Sequence, residues 1–247
     1  CGETVITVSN VAKKYLVDNY PRIDAAKIKV IHRGTDPEDF PRGYQPTDQW
    51  LNNWAKEWPK LVGQRLICLP GRMSRLKGHN HLINLIQRLK QQGVDNIKGV
   101  IVGGVDSDHH TYLASLKTDI ASKSLEDDIA FIGHRSDIRD IYAISSVVLA
   151  VSTKAESFGR TVLEPLSIGT PTIGFDIGGV GEIFSILFPD GRVRSQDADD
   201  LFAVCLRILS DDTRDTKARI KDNTDFLLEN MCKQTLSAYE ELVRRDG

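Results

Sequence analysis

The chain has no long block of like charge, no CxxC pair and no apolar run that reaches the roughly 18 residues of a membrane span. Each absence removes a class of function. With 32 Lys and Arg against 34 Asp and Glu, the net charge is -2, so there is no general electrostatic pull toward nucleic acid or an anionic membrane. The four cysteines, Cys1, Cys68, Cys205 and Cys232, lie far apart without metal-ligand spacing. They read as buried, reduced thiols that fit a reducing, cytoplasmic compartment. Cys1-Gly2-Glu3 lacks the charged-then-apolar order of a signal peptide, and the missing initiating Met points to a piece of a longer protein. There is no internal repeat, no low-complexity tract and no metal-binding pattern. His79 and His81 stand two apart on a predicted helix and do not share a face, and His109-His110 reads as a loop pair.

What is present is ordinary globular material: 247 residues, 40% hydrophobic and 27% charged, enough for one large domain or for one domain plus a fragment. Short apolar runs alternate with amphipathic stretches, the pattern of βαβ units. Strands are predicted over residues 5–8, 28–31, 66–69, 99–102, 129–132, 147–151 and 171–175. Helices are predicted over 11–19, 79–92, 111–123, 136–145, 162–168 and 198–209. Several strands are apolar on consecutive residues, as when both faces of a parallel sheet are covered. The expected fold is α/β, a doubly wound, mainly parallel Rossmann-like sheet.

From Asp36 to Pro59 the composition shifts to Pro, Trp, Gln, Asn and Asp without a strand period, which reads as a connector. Residues 1–41 hold two strand candidates, too few for a core of their own, and read as the tail of a larger domain. The expected division is 1–41, a connector over 42–59, and a complete sheet over 60–247.

Four predicted strands each run into a loop at what should be one sheet edge, where open α/β sheets bind ligands. The first loop holds Gly71, Arg72 and Lys77; a planar guanidinium fork and a point charge together suit a diphosphate. An exposed basic turn is the alternative. Gly103 and Gly133-His134-Arg135 mark the second and third loops, where glycine permits close backbone approach. The fourth is Glu156-Ser157-Phe158-Gly159-Arg160-Thr161 followed by Glu164. Backbone N–H groups over 158–161 would lie at a helix N-terminus and favour anionic oxygens. Pro165 places the helix start near Arg160 or Thr161, with the proline close to the first turn. If the helix began at Phe158, the two glutamates would stand roughly 12 Å apart, too far for one small group but suited to a diphosphate-linked sugar and ribose. A helix N-terminal charge for Glu156 and a solvated face for Glu164 are the alternatives.

Taken in order, Val8-Ser9, residues 30–36 (Val-Ile-His-Arg-Gly-Thr-Asp), Gly71-Arg72 to Lys77-Gly78, Val102-Gly103-Gly104, Phe131-Ile132-Gly133, Glu156-Ser157-Phe158-Gly159 to Glu164, Gly169-Thr170-Pro171 and Gly178-Gly179 resemble the group 1 glycosyltransferases, also called family 4. The resemblance covers nearly the whole chain. It implies a GT-B enzyme, with two Rossmann-like domains across a cleft. This chain would then hold the end of the acceptor-side domain and all of the donor domain. By position, Arg72 and Lys77 resemble the pair on the donor diphosphate, Glu164 the ribose ligand and Glu156 the residue beside the transferred sugar. Ser157, Phe158 and Gly159 would present backbone to that sugar, Arg160 and Thr161 would lie close to the phosphates, and residues 132–135 would meet the nucleobase.

The implied activity is transfer of a sugar from a nucleotide diphosphate sugar to a hydroxyl, with retention, in polysaccharide, lipopolysaccharide or glycolipid synthesis. Arg72, Lys77 and Glu156 would be the catalytic residues. No metal and no cofactor is implied beyond the nucleotide-sugar substrate. The implied partners are the donor, the remainder of the acceptor-side domain and an acceptor glycan or glycolipid, without nucleic acid. The location would be cytoplasmic, with possible peripheral contact at the inner membrane face. Another GT-B-type enzyme, an epimerase or a phosphorylase, and a non-catalytic nucleotide-binding module stay open as alternatives.

Overall fold

The computed structural model describes residues 2–105 and 110–245; Cys1 and His109, both singled out above, lie outside them. Two sheets organise the chain. A small parallel pair joins β1 (Val5–Thr7) to β2 (Ile28–Val30), with helix α1 (Asn10–Asn19) between them. Ser9 starts α1 by accepting the Ala12 N–H through its hydroxyl.

The second sheet is larger and wholly parallel. It contains β3 (Arg65–Pro70), β4 (Ile97–Val102), β5 (Ile129–Phe131), β6 (Ser145–Ala150), β7 (Thr172–Phe175) and β8 (Arg192–Val193). Their order, β5-β4-β3-β6-β7-β8, runs outward in both directions from the β3/β6 pair. That pair is the point at which the winding reverses, the place where doubly wound sheets open a crevice at their carboxyl edge.

Both faces are covered, as the apolar strands require. Ile67 and Leu69 of β3 turn to a core built with helices α3 (His79–Gln91), α4 (His110–Ser122), α6 (Arg160–Ile168), α7 (Gly179–Leu187) and α8 (Ala198–Ser210). Leu66 and Cys68, the alternating residues of the same strand, turn to a second core with Trp54, Ile141 and Tyr142. Trp54 belongs to helix α2 (Asp48–Glu57), and Ile141 and Tyr142 to α5 (Ile138–Ile144).

Every predicted strand and helix is present with its ends displaced by a few residues. Four helices and one strand were not predicted: α2, α7, α9 (Thr213–Arg219), α10 (Leu228–Arg245) and β8. The connector thus contains a helix, started by the Thr47 side chain accepting the Trp50 N–H, with Trp54 buried beneath it. Its spacing of Trp50, Trp54 and Trp58 is helical, and the Pro and Asn around it hid the period. Cys68 and Cys205 are buried, and burial pushes each thiol up to about 12. Cys232 is exposed, contrary to expectation, because α10 turns that side outward.

The chain passes twice between the small sheet and the large one, and the two passages touch. Thr35 N–H donates to Phe226 O and Leu228 N–H to Thr35 O, forming an isolated parallel bridge at Thr35 and Leu227. A Cβ on Gly34 would stand 2.2 Å from the Leu227 carbonyl carbon, so only glycine admits this approach. Asn223 ties the joint to α6: its Nδ2 donates to Thr35 Oγ1 at 3.0 Å and Ser167 Oγ at 3.1 Å. Among the described residues no helix is long and apolar enough to cross a membrane.

Candidate active site

The loops at the carboxyl edge are sewn together by their backbones. Gly71 N–H donates to Val102 O at 2.8 Å, Met73 N–H to Gly104 O at 3.0 Å and Gly103 N–H to Gly133 O at 2.8 Å. A Cβ on Gly103 would stand 1.8 Å from Gly71 O. Glycine is needed there because two loops cross at backbone contact. On the other side of β3, Thr153 N–H donates to Leu76 O at 2.8 Å, joining the β3 and β6 loops across the switch point.

At that junction the structure brings together two of the predicted site residues. Lys77 Nζ lies 2.6 Å from Glu156 Oε1, and the side chains are about a quarter exposed, at 24% and 25%. The Ser152 hydroxyl donates to the same carboxylate oxygen. The Lys77 methylenes pack beside Gly71. A lysine has three donors, so contact with Glu156 leaves Nζ able to reach a second anion. Arg72 is exposed on the same loop.

Glu156 is placed from behind by the Gly178-Gly179 turn that follows β7. Gly179 N–H donates to Glu156 O at 2.8 Å, and a Cβ on Gly179 would lie 2.5 Å from Ser157 O. The segment 156–159 is therefore a turn, and α6 begins at Arg160, with Gly159 before it at φ +119°. The helical rise does not span from Glu156 to Glu164. Phe158 buries its ring between Phe226, 5.8 Å away, and His32, 6.3 Å away, so its contribution at the edge is backbone. Ser157 is exposed and Thr161 half-buried. Pro165 lies in the second turn of α6, deeper than expected, where it removes the donor that would reach the Thr161 carbonyl.

Glu164 is buried within that helix rather than on a solvated face. Burial raises its carboxyl above the usual range, opposed by Arg160 and by Tyr142. Arg160 Nε donates to Glu164 Oε1 at 2.7 Å, and the Tyr142 hydroxyl stands 3.5 Å from Oε2. Gly133 and His134 are exposed at the β5 end of the edge.

Three residues at this site, Glu182, His32 and Tyr142, are not among the predicted site residues. Glu182, in the first turn of α7, accepts the N–H of Asn10 at 3.1 Å and of Val11 at 2.8 Å, and lies 3.0 Å from His32 Nε2. Burial raises the Glu182 carboxyl, but the bonds from His32, Val11 and Asn10 outweigh it and the net displacement is downward. Tyr142 is the third, and its partner lies 22 residues away. A glutamate just after a Gly-Gly turn was the one available hint. His79 is buried, with Nδ1 3.2 Å from the Tyr112 hydroxyl; His81 packs edge-on against Phe175 at 4.9 Å. Among the described residues no group of three or more His, Cys, Asp or Glu is placed to hold a metal ion.

Residues 52–225 match the family model of glycosyl transferases group 1. Mannosylfructose-phosphate synthase of Agrobacterium fabrum is 28% identical over 187 residues, which are 72% of this chain and 38% of that protein. The chain spans about half the length of the curated relatives it matches. A glycosyltransferase from Rickettsia africae superposes with a TM-score of 0.85 at 28% identity, covering 98% of this chain and 64% of the other. Anabaena Alr3699/HepE, solved in complex with UDP and glucose, superposes with a TM-score of 0.84 at 20% identity, covering 97% and 64%. The last likeness is one of fold.

Proposed function

The chain belongs to the group 1 glycosyl transferases, and from that premise we propose that its six-stranded sheet binds a nucleotide diphosphate sugar and presents the sugar for transfer to a hydroxyl. The observation that carries this reading is the Lys77–Glu156 pair, set on the two loops that flank the switch point beside the N-terminus of α6. Cations and helix N–H groups converge where phosphates would lie, with a carboxylate beside them. The separate sheet of β1 and β2 supports dividing the chain at the 42–59 connector, with residues 1–41 on the acceptor side.

In the proposed reaction the bond from the anomeric carbon to the diphosphate breaks as the acceptor oxygen bonds to that carbon on the same face. The acceptor proton leaves with the departing phosphate. Negative charge grows on the diphosphate, and Arg72, Lys77 and the α6 N-terminus stabilise it electrostatically. Glu156 orients the sugar and faces the positive charge that develops on the ring. Glu164 would take the ribose hydroxyls, and the backbone of 133–134 the base. The acceptor reading is a glycan or glycolipid, including lipopolysaccharide-type products, with peripheral membrane contact made by sequence outside this chain.

A thermal-shift screen of UDP-, GDP- and ADP-sugars tests the donor assignment, since a ligand that binds only the native state raises the melting temperature by mass action. One donor should stabilise selectively, and Arg72→Ala with Lys77→Ala should abolish its effect. Stabilisation that survives the double substitution sinks the phosphate assignment. With the longer protein, epimerised sugar or free nucleotide without acceptor transfer would exclude the transferase reading.

A further inference from the structure

The connector does more than link two sheets. Arg135, just after the exposed Gly133-His134 loop, has its guanidinium gripped from two directions. Its Nε and Nη2 donate to the two oxygens of Asp137 at 2.9 and 2.8 Å, and its Nη1 donates to Glu57 of α2 at 2.9 and 3.0 Å. Trp50 of α2 donates its indole N–H to Asp137 Oδ2 at 2.7 Å. Trp50 in turn stacks on Trp54, whose ring is buried in the core beneath the sheet.

Asp137 occupies the N-cap position of α5 yet accepts no capping hydrogen bond from that helix. An aspartate there ordinarily stabilises the helix by accepting from its first free N–H groups. Here both oxygens serve Arg135 and Trp50 instead, so the local helix forgoes its cap in favour of a contact to the connector. The loop is consequently held at two points. Gly103 N–H grips the Gly133 carbonyl from the sheet, and the clamp grips Arg135 two residues later.

The chemistry along the edge changes at this loop. Lys77 and the α6 N-terminus gather positive charge at the β3/β6 junction, whereas Arg135 is engaged by two carboxylates and is 18% exposed. Gly133, which has no side chain, and His134 are both exposed there, so the loop offers open backbone to the edge of an uncharged heterocycle. We propose that the Glu57–Arg135–Asp137–Trp50 clamp is a specificity-positioning device: by fixing the backbone of residues 133–134 from the connector, it sets which nucleobase this edge accepts. The inference rests on the reading that this edge binds a nucleoside diphosphate.

Calorimetry with UDP, GDP, ADP and inorganic pyrophosphate separates the two, using wild type, Asp137→Asn, Trp50→Phe and Glu57→Ala. Glu57 is half exposed, so its removal leaves a folded protein even where Asp137→Asn does not. The preferred nucleoside diphosphate should lose its advantage over the other two by about three- to tenfold, the size of one misplaced hydrogen bond. Pyrophosphate affinity should stay constant. An unchanged preference in a folded variant, or equal losses for all ligands including pyrophosphate, overturns the clamp. Wild type that binds the three nucleotides equally also overturns it and leaves the donor reading intact. Wild type that binds none removes both.

Discussion

Lys77 and Glu156, 79 residues apart in sequence, meet at 2.6 Å across the switch point of the sheet. Their charges are coupled, so neither acts on a bound donor alone. Removing one changes what the other can do.

Lys77→Ala should lower nucleoside diphosphate affinity by about 1.5 to 3 kcal/mol, the cost of one charged hydrogen bond. Glu156→Gln removes the competitor for the ammonium and should leave that affinity equal or tighter, while turnover of the full-length enzyme falls. Titration calorimetry of both variants checks the contrast. Equal weakening in both would mean that the carboxylate holds the lysine in place rather than competing for it.

Glu164 offers a separation of stability from binding. Its raised carboxyl means that, between the ordinary glutamate value and the native one, the folded state holds more protons than the unfolded state, so its contribution to stability falls as pH rises through that window. Glu164→Gln should therefore melt no lower than wild type at neutral pH, since Arg160 is 65% exposed and remains solvated. Donor binding should weaken by about ten- to a hundredfold in the same variant, the loss expected from one charged hydrogen bond.

His79 should make the fold acid-sensitive. Burial lowers its imidazole to about 4, against a bond to the Ser74 backbone that raises it. The unfolded chain then binds more protons below pH 6.5, and stability present above that value is lost as pH falls toward 4, by about 3 kcal/mol for a displacement of this size. Urea midpoints at pH 7 and pH 4.5 measure the loss, and in His79→Gln the difference between them should shrink.

Two glycines at the same edge should respond differently to alanine. Gly103→Ala forces a methyl to within 1.8 Å of Gly71 O and should disrupt the crossed loops, lowering the melting temperature severely. Gly133→Ala meets nothing within 4 Å and faces only its φ of +72°, a penalty of about 1 to 2 kcal/mol. Thermal melts of the pair distinguish steric from conformational demand.

The sheet was legible because its strands are continuous apolar runs between glycine turns, a local property of the chain. Helices α7 and α10 were not. α7 opens on Gly179-Val180-Gly181, glycines that read as a loop, and α10 is amphipathic but polar on average, with no apolar run to mark it. The same distinction governs the site. Loop residues such as Arg72, Lys77 and Glu156 announce themselves by charge beside a glycine, whereas Tyr142 and Glu182 act through partners 22 and 172 residues away. Arg135 was read as part of a base-contacting loop. Its engagement with Glu57 depends on a helix hidden in a stretch without strand periodicity.

The bridge between Thr35 and Leu227 has a mechanical meaning. Two strands of chain that run separately between bodies resist both bending and twisting, like two stays. Pinned to each other at one point by backbone bonds, they form a single joint, and sliding one past the other must break the pair. Because Asn223 fastens that joint to Ser167, three residues beyond Glu164, its anchor is the helix that would hold the ribose.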